Sequence, residues 1–332
     1  MNKKYLGYLN TNDPLHSILA SRLFNHISNP QFNVEQLSSK QVYKYTEENS
    51  GIAVIGKFFD PLDSHIERVN RLKREYENIQ MIRGYHFDVA PYYVVKALTK
   101  EFPIGLAVVE EFIKGKDLDH YLKKAVFQDA EKLLFDKLSL FASFLRQIHH
   151  RTYSGETLKN NEAINYIYSL ITYLSKYTVI DHQDLKNYEI LIQKWDDYGL
   201  LRNNLKVIIH GDTTPTNFIF TNEGSIVAID MERMRQGDPA YDVGMVCGEL
   251  KHAFLWRCNS LQKSEPFIRH FIKEYVKDSP NPIDEFKTLT SRLPFYMALT
   301  ELRISRNKYL DWSYRKKIAK EAYNCLQGGL NK

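Results

Sequence analysis

Four polar residues whose types suit phosphoryl transfer lie within a short stretch of this 332-residue sequence. They are His210, Asp212, Asn217 and Asp230. A transferred phosphoryl group needs a positioned nucleophile and cations on its oxygens rather than covalent help from the protein. Asp212 is suited to orient an attacking hydroxyl and take its proton. Asn217 and Asp230 supply hard oxygen ligands that suit Mg²⁺, so we predict a general base and a magnesium site here.

The elements around these residues should bring them together. A β-branched run directly before His210 predicts a buried strand, and two apolar runs after Asn217 predict two more strands. The loop between those two, residues 221–225, has the Asn and Gly chemistry of a hairpin turn. Because a hairpin returns the chain to its start, Asp230 should lie close to Asn217. Asp and Asn are also common in turns, but this order of elements favours catalysis.

The pattern resembles the aminoglycoside phosphotransferase and choline kinase family, which are small-molecule relatives of the protein kinases. The resemblance is carried by residues 210–217, 229–232 and 237–244. It implies an α+β, bilobal, protein-kinase-like fold. Residues 1–111 would form an N-terminal helix and a small nucleotide-binding lobe of antiparallel sheet with one main helix. Residues 112–332 would form a larger, mostly helical lobe for catalysis and acceptor binding.

The resemblance also implies roles for residues outside the loop. His210 and Asp242 would support the catalytic loop. Lys57, in an apolar run at residues 52–59, would hold the nucleotide phosphates and pair with a glutamate of the following helix. A lysine at the solvent-facing end of the strand is the alternative, but the strand order favours the phosphate role. Helical spacing places Glu75 at the edge of an apolar stripe, so Glu75 is the predicted partner of Lys57.

The resemblance also implies the remaining nucleotide contacts, by their position in the sequence. No Gly-x-Gly-x-x-Gly pattern precedes Lys57, so Ser38 and Ser39 are expected to cover the phosphates with backbone amides and small hydroxyls. The segment that would join the lobes contains Glu111 and Ile113. In the family the adenine contacts there are mostly main-chain, and these two residues would offer a carbonyl and an amide to the base.

Apolar periodicity predicts the remaining elements. Strands are expected in the first lobe after an N-terminal helix that starts near Asn12, and helices in most of the second lobe. The expected strands are 34–37, 42–46, 52–59, 90–99 and 104–109, and the expected helices are 64–83, 133–148, a pair within 164–201, 243–256, 265–275, 283–309 and 312–325.

Several polar residues interrupt the apolar periodicity of the predicted helices. His149 and His150 are adjacent, so they point apart on a helix, and we interpret them as a helix end rather than a metal site. A solvated helix face is the favoured interpretation for five others, with the acceptor site as the alternative. These are Glu249, His252, Glu301, Arg303 and Arg306.

Composition limits the possible partners and compartments. The net charge of +5 is a mild excess spread along the chain, which does not argue for nucleic acid. Cys247, Cys258 and Cys325 have neither metal-ligand spacing nor an even count, and we expect reduced thiols. No apolar run approaches the length of a membrane span, and the first residues supply no apolar signal-peptide core. A cytoplasmic protein that binds no membrane is therefore expected.

The motifs together predict a Mg²⁺-dependent phosphotransferase that moves the γ-phosphate of ATP or GTP to a hydroxyl of a small molecule. Sugars, amino alcohols and aminoglycosides are the acceptor classes that the resemblance implies. Two alternatives are a protein Ser/Thr kinase and a nucleotide-binding pseudokinase or scaffold. The short segment between Asp230 and Asp242 leaves little chain to dock a peptide, and a binding-only protein would not require the base.

Overall fold

The computed structural model describes residues 4–37, 41–58, 65–101, 107–158 and 162–331. The chain forms two compact units. The first comprises Met1–Gly115 and Thr221–Arg233, and the second comprises Lys116–Phe220 and Met234–Lys332.

The first unit is built on an antiparallel sheet with the strand order β1-β2-β3-β4-β8-β7. A short helix, α1 (Pro14–Ile18), precedes β2, and the main helix, α2 (His65–Arg83), follows β4. The strands of the unit are β1 (Lys4–Tyr8), β2 (Phe32–Gln36), β3 (Val42–Glu47), β4 (Ala53–Phe58), β5 (Asp88–Val89), β6 (Tyr92–Val94), β7 (Ala97–Glu101) and β8 (Ala107–Glu111).

The alternation of buried and partly exposed side chains along the strands explains which face of this sheet packs against the N-terminal helical segment. Phe32 and Val34 of β2 and Tyr45 of β3 are buried against Leu15 of α1 and Leu19 just beyond it. Residues two apart on a strand point to the same face, so a sequence pattern with period two places these side chains in one core. That core holds the N-terminal helical segment against the sheet.

This unit differs from the sequence prediction in three details. The strand β1 was not expected, because its residues are mostly exposed at the edge of the sheet and give no apolar signal. The predicted N-terminal helix is short, because α1 ends at Ile18 and a π-helical turn follows at Leu19–Leu23. The single strand expected at 90–99 is divided into β6 and β7.

The second unit is mainly helical. After β9 (Gly115–Asp117), its helices are α3 (Leu118–Phe127), α4 (Glu131–Arg151), α5 (Glu162–Lys176), α6 (His182–Asp197), α7 (Pro239–Cys258), α8 (Glu265–Val276), α9 (Pro282–Thr290), α10 (Leu293–Ser305) and α11 (Trp312–Leu330). Between α6 and α7 the chain forms β10 (Val207–Ile209), β11 (Phe218–Thr221), β12 (Ile226–Ala228) and β13 (Arg235–Gly237). Of these, β12 belongs to the first unit, where it pairs with β6 in parallel.

Helix α7 is the central helix of this unit. Nearly all of its residues are buried, and Asp238 caps its first turn by accepting a hydrogen bond from the Ala240 N–H at 2.9 Å. A Cβ added to Gly244 would lie 2.4 Å from Cβ of Tyr296 on α10, so the glycine permits a close approach of the two helices. Because α7 is apolar on nearly every side, it is enclosed by other elements rather than lying at the surface.

The single helix predicted at 283–309 was wrong, because α9 and α10 are separate. Helix α9 ends at Thr290, and Pro294 lies in the first turn of α10, where its missing N–H costs no hydrogen bond. At the break, Arg292 donates two hydrogen bonds to the Asp238 carboxylate, at 2.9 and 3.1 Å. None of the helices in the described part of the chain combines the length and apolar character that a membrane crossing requires.

Candidate active site

The loop that contains Asp212 begins directly after the buried strand β10 and is held by the carboxylate of Asp242 on α7. Asp242 is completely buried and accepts hydrogen bonds from the backbone N–H groups of His210 (2.7 Å) and Gly211 (2.9 Å). Gly211 has φ of 75°, a left-handed conformation that suits glycine. The Thr213 hydroxyl also donates to the main-chain oxygen of Asp242, at 3.0 Å. Asp242 thus fixes the loop on both sides of Gly211.

His149 at the end of α4 supports Asp242 in turn. Its Nε2 lies 3.1 Å from Oδ2 of Asp242, and its Nδ1 lies 2.8 Å from the Tyr275 hydroxyl. Burial alone would raise the pKa of Asp242, but the hydrogen bonds and charge of His149, with those of the loop, lower it below its usual value. His149 lies in the last turn of α4, as expected, but its buried side chain also connects α4 and α8 to the loop.

Arg303 and Asn217 are among the neighbours that restrict Asp212. Its Oδ1 accepts a hydrogen bond from Nη2 of Arg303 on α10 at 2.8 Å. Its main-chain oxygen accepts a hydrogen bond from the side-chain amide nitrogen of Asn217, at 3.0 Å. Since the nitrogen of Asn217 is used in this way, its carboxamide oxygen is the atom that remains for a metal ligand.

The arrangement of Arg303 and Glu249 contradicts the solvated helix face that the sequence favoured. Glu249 on α7 is buried, and its Oε1 lies 3.9 Å from Nη2 of Arg303. Burial raises the pKa of Glu249 to about 7, against the opposing effect of the Arg303 charge. Glu301 is also buried, 3.4 Å from the ammonium of Lys251, so it belongs to an interior ion cluster.

In the first unit, Lys57 on β4 contacts two buried carboxylates. Its Nζ lies 2.8 Å from Oε1 of Glu75 on α2 and 3.0 Å from Oε1 of Glu110 on β8. Burial would lower the pKa of Lys57, but Glu110, Glu75 and Asp230 raise it well above its usual value. Burial raises the pKa of Glu110 to about 7. The predicted pair of Lys57 with Glu75 is formed, whereas Glu110 was missed because it lies in an apolar strand without a motif.

Asp230 follows β12 and has φ of 64°, a left-handed conformation that is uncommon for a residue with a side chain. It lies in the first unit with Lys57, and its charge contributes to the raised pKa of that lysine. Asn217 lies in the second unit, so the expected closeness of Asp230 and Asn217 stays a prediction. Strained backbone of this kind is found disproportionately at functional sites.

The predicted adenine contacts lie at the end of β8. The carboxylate of Glu111 accepts hydrogen bonds from the Tyr93 hydroxyl and from the Lys96 N–H, both at 2.7 Å, while its own N–H donates to the Lys96 oxygen at 3.1 Å. Ile113 is partly buried. Their contact with a base stays a prediction. Ser38 and Ser39 lie outside the described residues.

A family model described as "Phosphotransferase enzyme family" matches residues 35–275 of this sequence. The chain belongs to this family. The resemblance to aminoglycoside phosphotransferases and choline kinases is thereby confirmed. Among curated proteins, the sequence search found no match.

Solved structures of kinases share the fold of this phosphotransferase family member. An ethanolamine kinase of Plasmodium vivax is similar with a TM-score of 0.63 and 14% identity, over 93% of this chain and 87% of that one. Choline kinase LicA from Streptococcus pneumoniae has a TM-score of 0.55 and 18% identity, over 95% and 99%. The streptomycin–ATP complex of APH(2")-IIa has a TM-score of 0.55 and 16% identity, over 96% and 97%. The α+β, protein-kinase-like fold is thus confirmed.

Proposed function

We propose that this chain is a Mg²⁺-dependent phosphotransferase that moves the γ-phosphoryl group of ATP or GTP to a hydroxyl of a small molecule. The observation that supports this most directly is the fixed loop around Asp212. Asp242 holds the loop through two N–H groups, and Asn217 is bonded to the main chain of Asp212 itself. A base must be held in place before the acceptor arrives, because positioning provides most of the catalysis in phosphoryl transfer.

Asp212 acts as the general base in this proposal. The acceptor oxygen forms a bond to the γ-phosphorus while the bond from that phosphorus to the β–γ bridging oxygen breaks. The hydroxyl proton passes to the Asp212 carboxylate, and the nucleoside diphosphate leaves with the bridging oxygen. His210 and Asp242 act only by holding the loop.

The donor set fits Mg²⁺, which prefers hard oxygen ligands and usually keeps several waters. Asn217 has its amide nitrogen engaged, so it presents the oxygen, and Asp230 supplies a carboxylate. When bound, the ion neutralises charge on the transferred phosphate. We assign these two residues as its protein ligands.

Lys57 serves as the clamp on the nucleotide phosphates. Two buried glutamates hold its ammonium and keep it charged, and they restrict where it can point. The main chain at Glu111 and Ile113 binds the base, and Ser38 and Ser39 cover the phosphates. The three cysteines are free thiols, which accords with a cytoplasmic enzyme.

Similar structures support small-molecule acceptors. They are an ethanolamine kinase, a choline kinase and a phosphotransferase in complex with streptomycin and ATP. By analogy, the acceptor of this chain is a sugar, an amino alcohol or an aminoglycoside-like molecule with a free hydroxyl.

The test is nucleotide consumption with Mg²⁺ across a panel of sugars, amino alcohols, hydroxy acids, nucleosides and aminoglycosides. We expect acceptor-dependent turnover that Asp212→Asn and Asp230→Ala abolish, while Asp212→Asn still binds nucleotide. Full turnover by Asp212→Asn would exclude the general-base role. Normal activity in Asp230→Ala would exclude its role as a metal ligand.

A further inference from the structure

Arg303 uses little of the hydrogen-bonding capacity of its guanidinium. Its side chain is 11% exposed, and its single hydrogen bond among the described residues is the one from Nη2 to Asp212. Glu249 lies 3.9 Å from the same nitrogen, beyond hydrogen-bond distance. Nε and Nη1 donate to no described residue.

Arg292, at the start of the same helix, makes fuller use of its guanidinium. Its Nε and Nη2 donate to Asp238 at 2.9 and 3.1 Å, and its Nη1 donates to the Thr288 oxygen at 2.8 Å. Three nitrogens of Arg292 are thus satisfied. A mostly buried guanidinium that leaves two nitrogens without such partners is costly unless water or a ligand meets them. Arg303, which carries these two nitrogens, also contacts Asp212, the proposed base.

We propose that Arg303 binds an anionic group of the acceptor, a carboxylate or a phosphate, so that the preferred acceptors are alcohols with such a group close to the reactive hydroxyl. This inference rests on the proposed function, because it takes Asp212 as the base. One nitrogen of the guanidinium holds Asp212, and the others form a planar fork that matches carboxylate or phosphate oxygens. An anion on that fork places its own hydroxyl within reach of Asp212.

Charge explains why an anion fits better than a cation or a neutral group. An acceptor ammonium on the fork would meet the positive charge of Arg303, and a neutral hydroxyl would leave much of its hydrogen-bonding capacity unused. The negative charge of Asp212 alone would repel an anion, but the positive guanidinium of Arg303 between them offsets this repulsion. Burial also raises the pKa of Glu249 to about 7, so this second carboxyl is only partly charged near neutral pH and competes weakly for Arg303.

The first experiment compares acceptors that differ only in the anionic group. The pairs are L-serine against ethanolamine, D-glycerate against glycerol, and glycerol 3-phosphate against glycerol. We expect kcat/KM to be higher for the anionic member of at least one pair by about tenfold or more, as one charged hydrogen-bonded contact provides. The carboxylate and phosphate pairs distinguish the two anions. Turnover confined to neutral or cationic acceptors would overturn the inference and leave the kinase function standing, whereas turnover on no acceptor would reject both.

The second experiment separates acceptor binding from positioning of Asp212. Arg303→Gln should raise KM for the anionic acceptor by about tenfold or more and change KM for its neutral partner little, and Arg303→Lys should recover part of the preference. Arg306→Gln removes the same charge one turn further along and serves as the matched control, which should keep the preference. Nucleotide binding confirms that each variant is folded. If Arg303→Gln lowers kcat equally on both members of a pair without changing their KM ratio, Arg303 only positions Asp212 and the proposal is wrong.

Discussion

At the scale of single residues, the geometry of the loop depends on one buried carboxylate. Asp242 accepts from two backbone N–H groups and contacts His149, so three groups converge on two oxygens. Such charge-assisted bonds are stronger than bonds between neutral groups. The position of Asp212 therefore depends on the charge of Asp242 as much as on the path of the chain.

Asp242→Asn should lower kcat by about 10- to 100-fold, because the amide replaces one acceptor oxygen with a donor that faces an N–H group. Nucleotide affinity should change little, since Lys57 and its partners belong to the other unit. Steady-state kinetics and nucleotide titration measure the two quantities. Tyr275→Phe, which removes only the hydroxyl bonded to His149, is the milder control. A variant Asp242→Asn with unchanged kcat would show that the loop is held by its other contacts.

Lys57→Met should lower the free energy of unfolding by about 3 kcal/mol near neutral pH, because it leaves two buried carboxylates without their cation. The pKa of Glu110 is raised to about 7 in the folded state and is near 4.5 in the unfolded state. Glu110 therefore contributes stability that is fully present below pH 4.5 and is lost as the pH rises through 7. Removing Lys57 raises that pKa further. The destabilisation should therefore be larger at pH 8 than at pH 5, measured by chemical denaturation.

Lys73→Met is the matched control for this variant. Lys73 is on the same unit, its side chain is 60% exposed, and it lies 3.9 Å from Glu77 on the helix surface. Exposed pairs of this kind contribute little to stability. Equal effects of the two substitutions, or an effect of Lys57→Met that does not depend on pH, would contradict the role of buried Glu75 and Glu110.

At the scale of elements, the second unit depends on close packing of α7 and α10. Gly244 and Gly248 face Tyr296 and Thr300, and an added Cβ at either glycine would come within 3 Å of those side chains. Helix α7 supplies Asp242 and Glu249, and α10 supplies Arg303. The spacing of these two helices thus sets the position of Arg303, the proposed acceptor contact, relative to Asp242, which holds the Asp212 loop.

Gly244→Ala should destabilise the chain by about 2 kcal/mol or more, because the new methyl group overlaps the Tyr296 side chain and backbone in a close-packed interior. The control is Gly328→Ala on α11, where an added Cβ meets nothing within 4 Å. That substitution should be neutral or stabilise by up to about 1 kcal/mol, as alanine favours helix more than glycine. Thermal or denaturant unfolding of both variants measures the contrast. Similar stabilities would mean that α7 and α10 can separate without cost.

Local order in the sequence was enough to predict the strand before the Asp212 loop, the strand of Lys57 and the helix of Glu75. These signals come from residues whose types and spacing repeat a known chemical arrangement. Arg303 is different, because it is 91 positions from Asp212 and looks like any polar residue in a helix. Whether such a side chain is solvated or buried against a distant loop is decided by tertiary packing.

Glu110 and the break before α10 are two further features that the sequence alone did not predict. Glu110 lies in an apolar strand, and only the register of β8 against β4 places it beside Lys57. Pro294 was visible in the sequence, but proline also fits the interior of a longer kinked segment. The contact of Arg292 with Asp238, which lies outside α9 and α10, accompanies the division.

At the scale of the whole molecule, the first unit collects the residues proposed to bind nucleotide phosphates and the second collects the base and the acceptor contacts. Lys57, its partners Glu75 and Glu110, and the proposed metal ligand Asp230 belong to the first. Asp212, Arg303 and the proposed metal ligand Asn217 belong to the second. Ligand binding to the folded chain stabilises it by mass action, so nucleotide and metal effects can be measured without turnover.

Nucleotide with Mg²⁺ should raise the thermal midpoint more than nucleotide in the presence of a chelator. A ligand at 100 times its Kd stabilises the folded state by about 2.7 kcal/mol, which is readily detected by calorimetry or dye fluorescence. Asp230→Ala should lose the increment that Mg²⁺ adds, because the carboxylate ligand is gone, while part of the nucleotide effect persists through Lys57. Asp88→Ala, at an exposed acid of the same unit, should retain the full increment. If Asp230→Ala keeps it too, the metal does not depend on this carboxylate, and the phosphate-binding role of the first unit would rest on Lys57 and on the contacts proposed for Ser38 and Ser39.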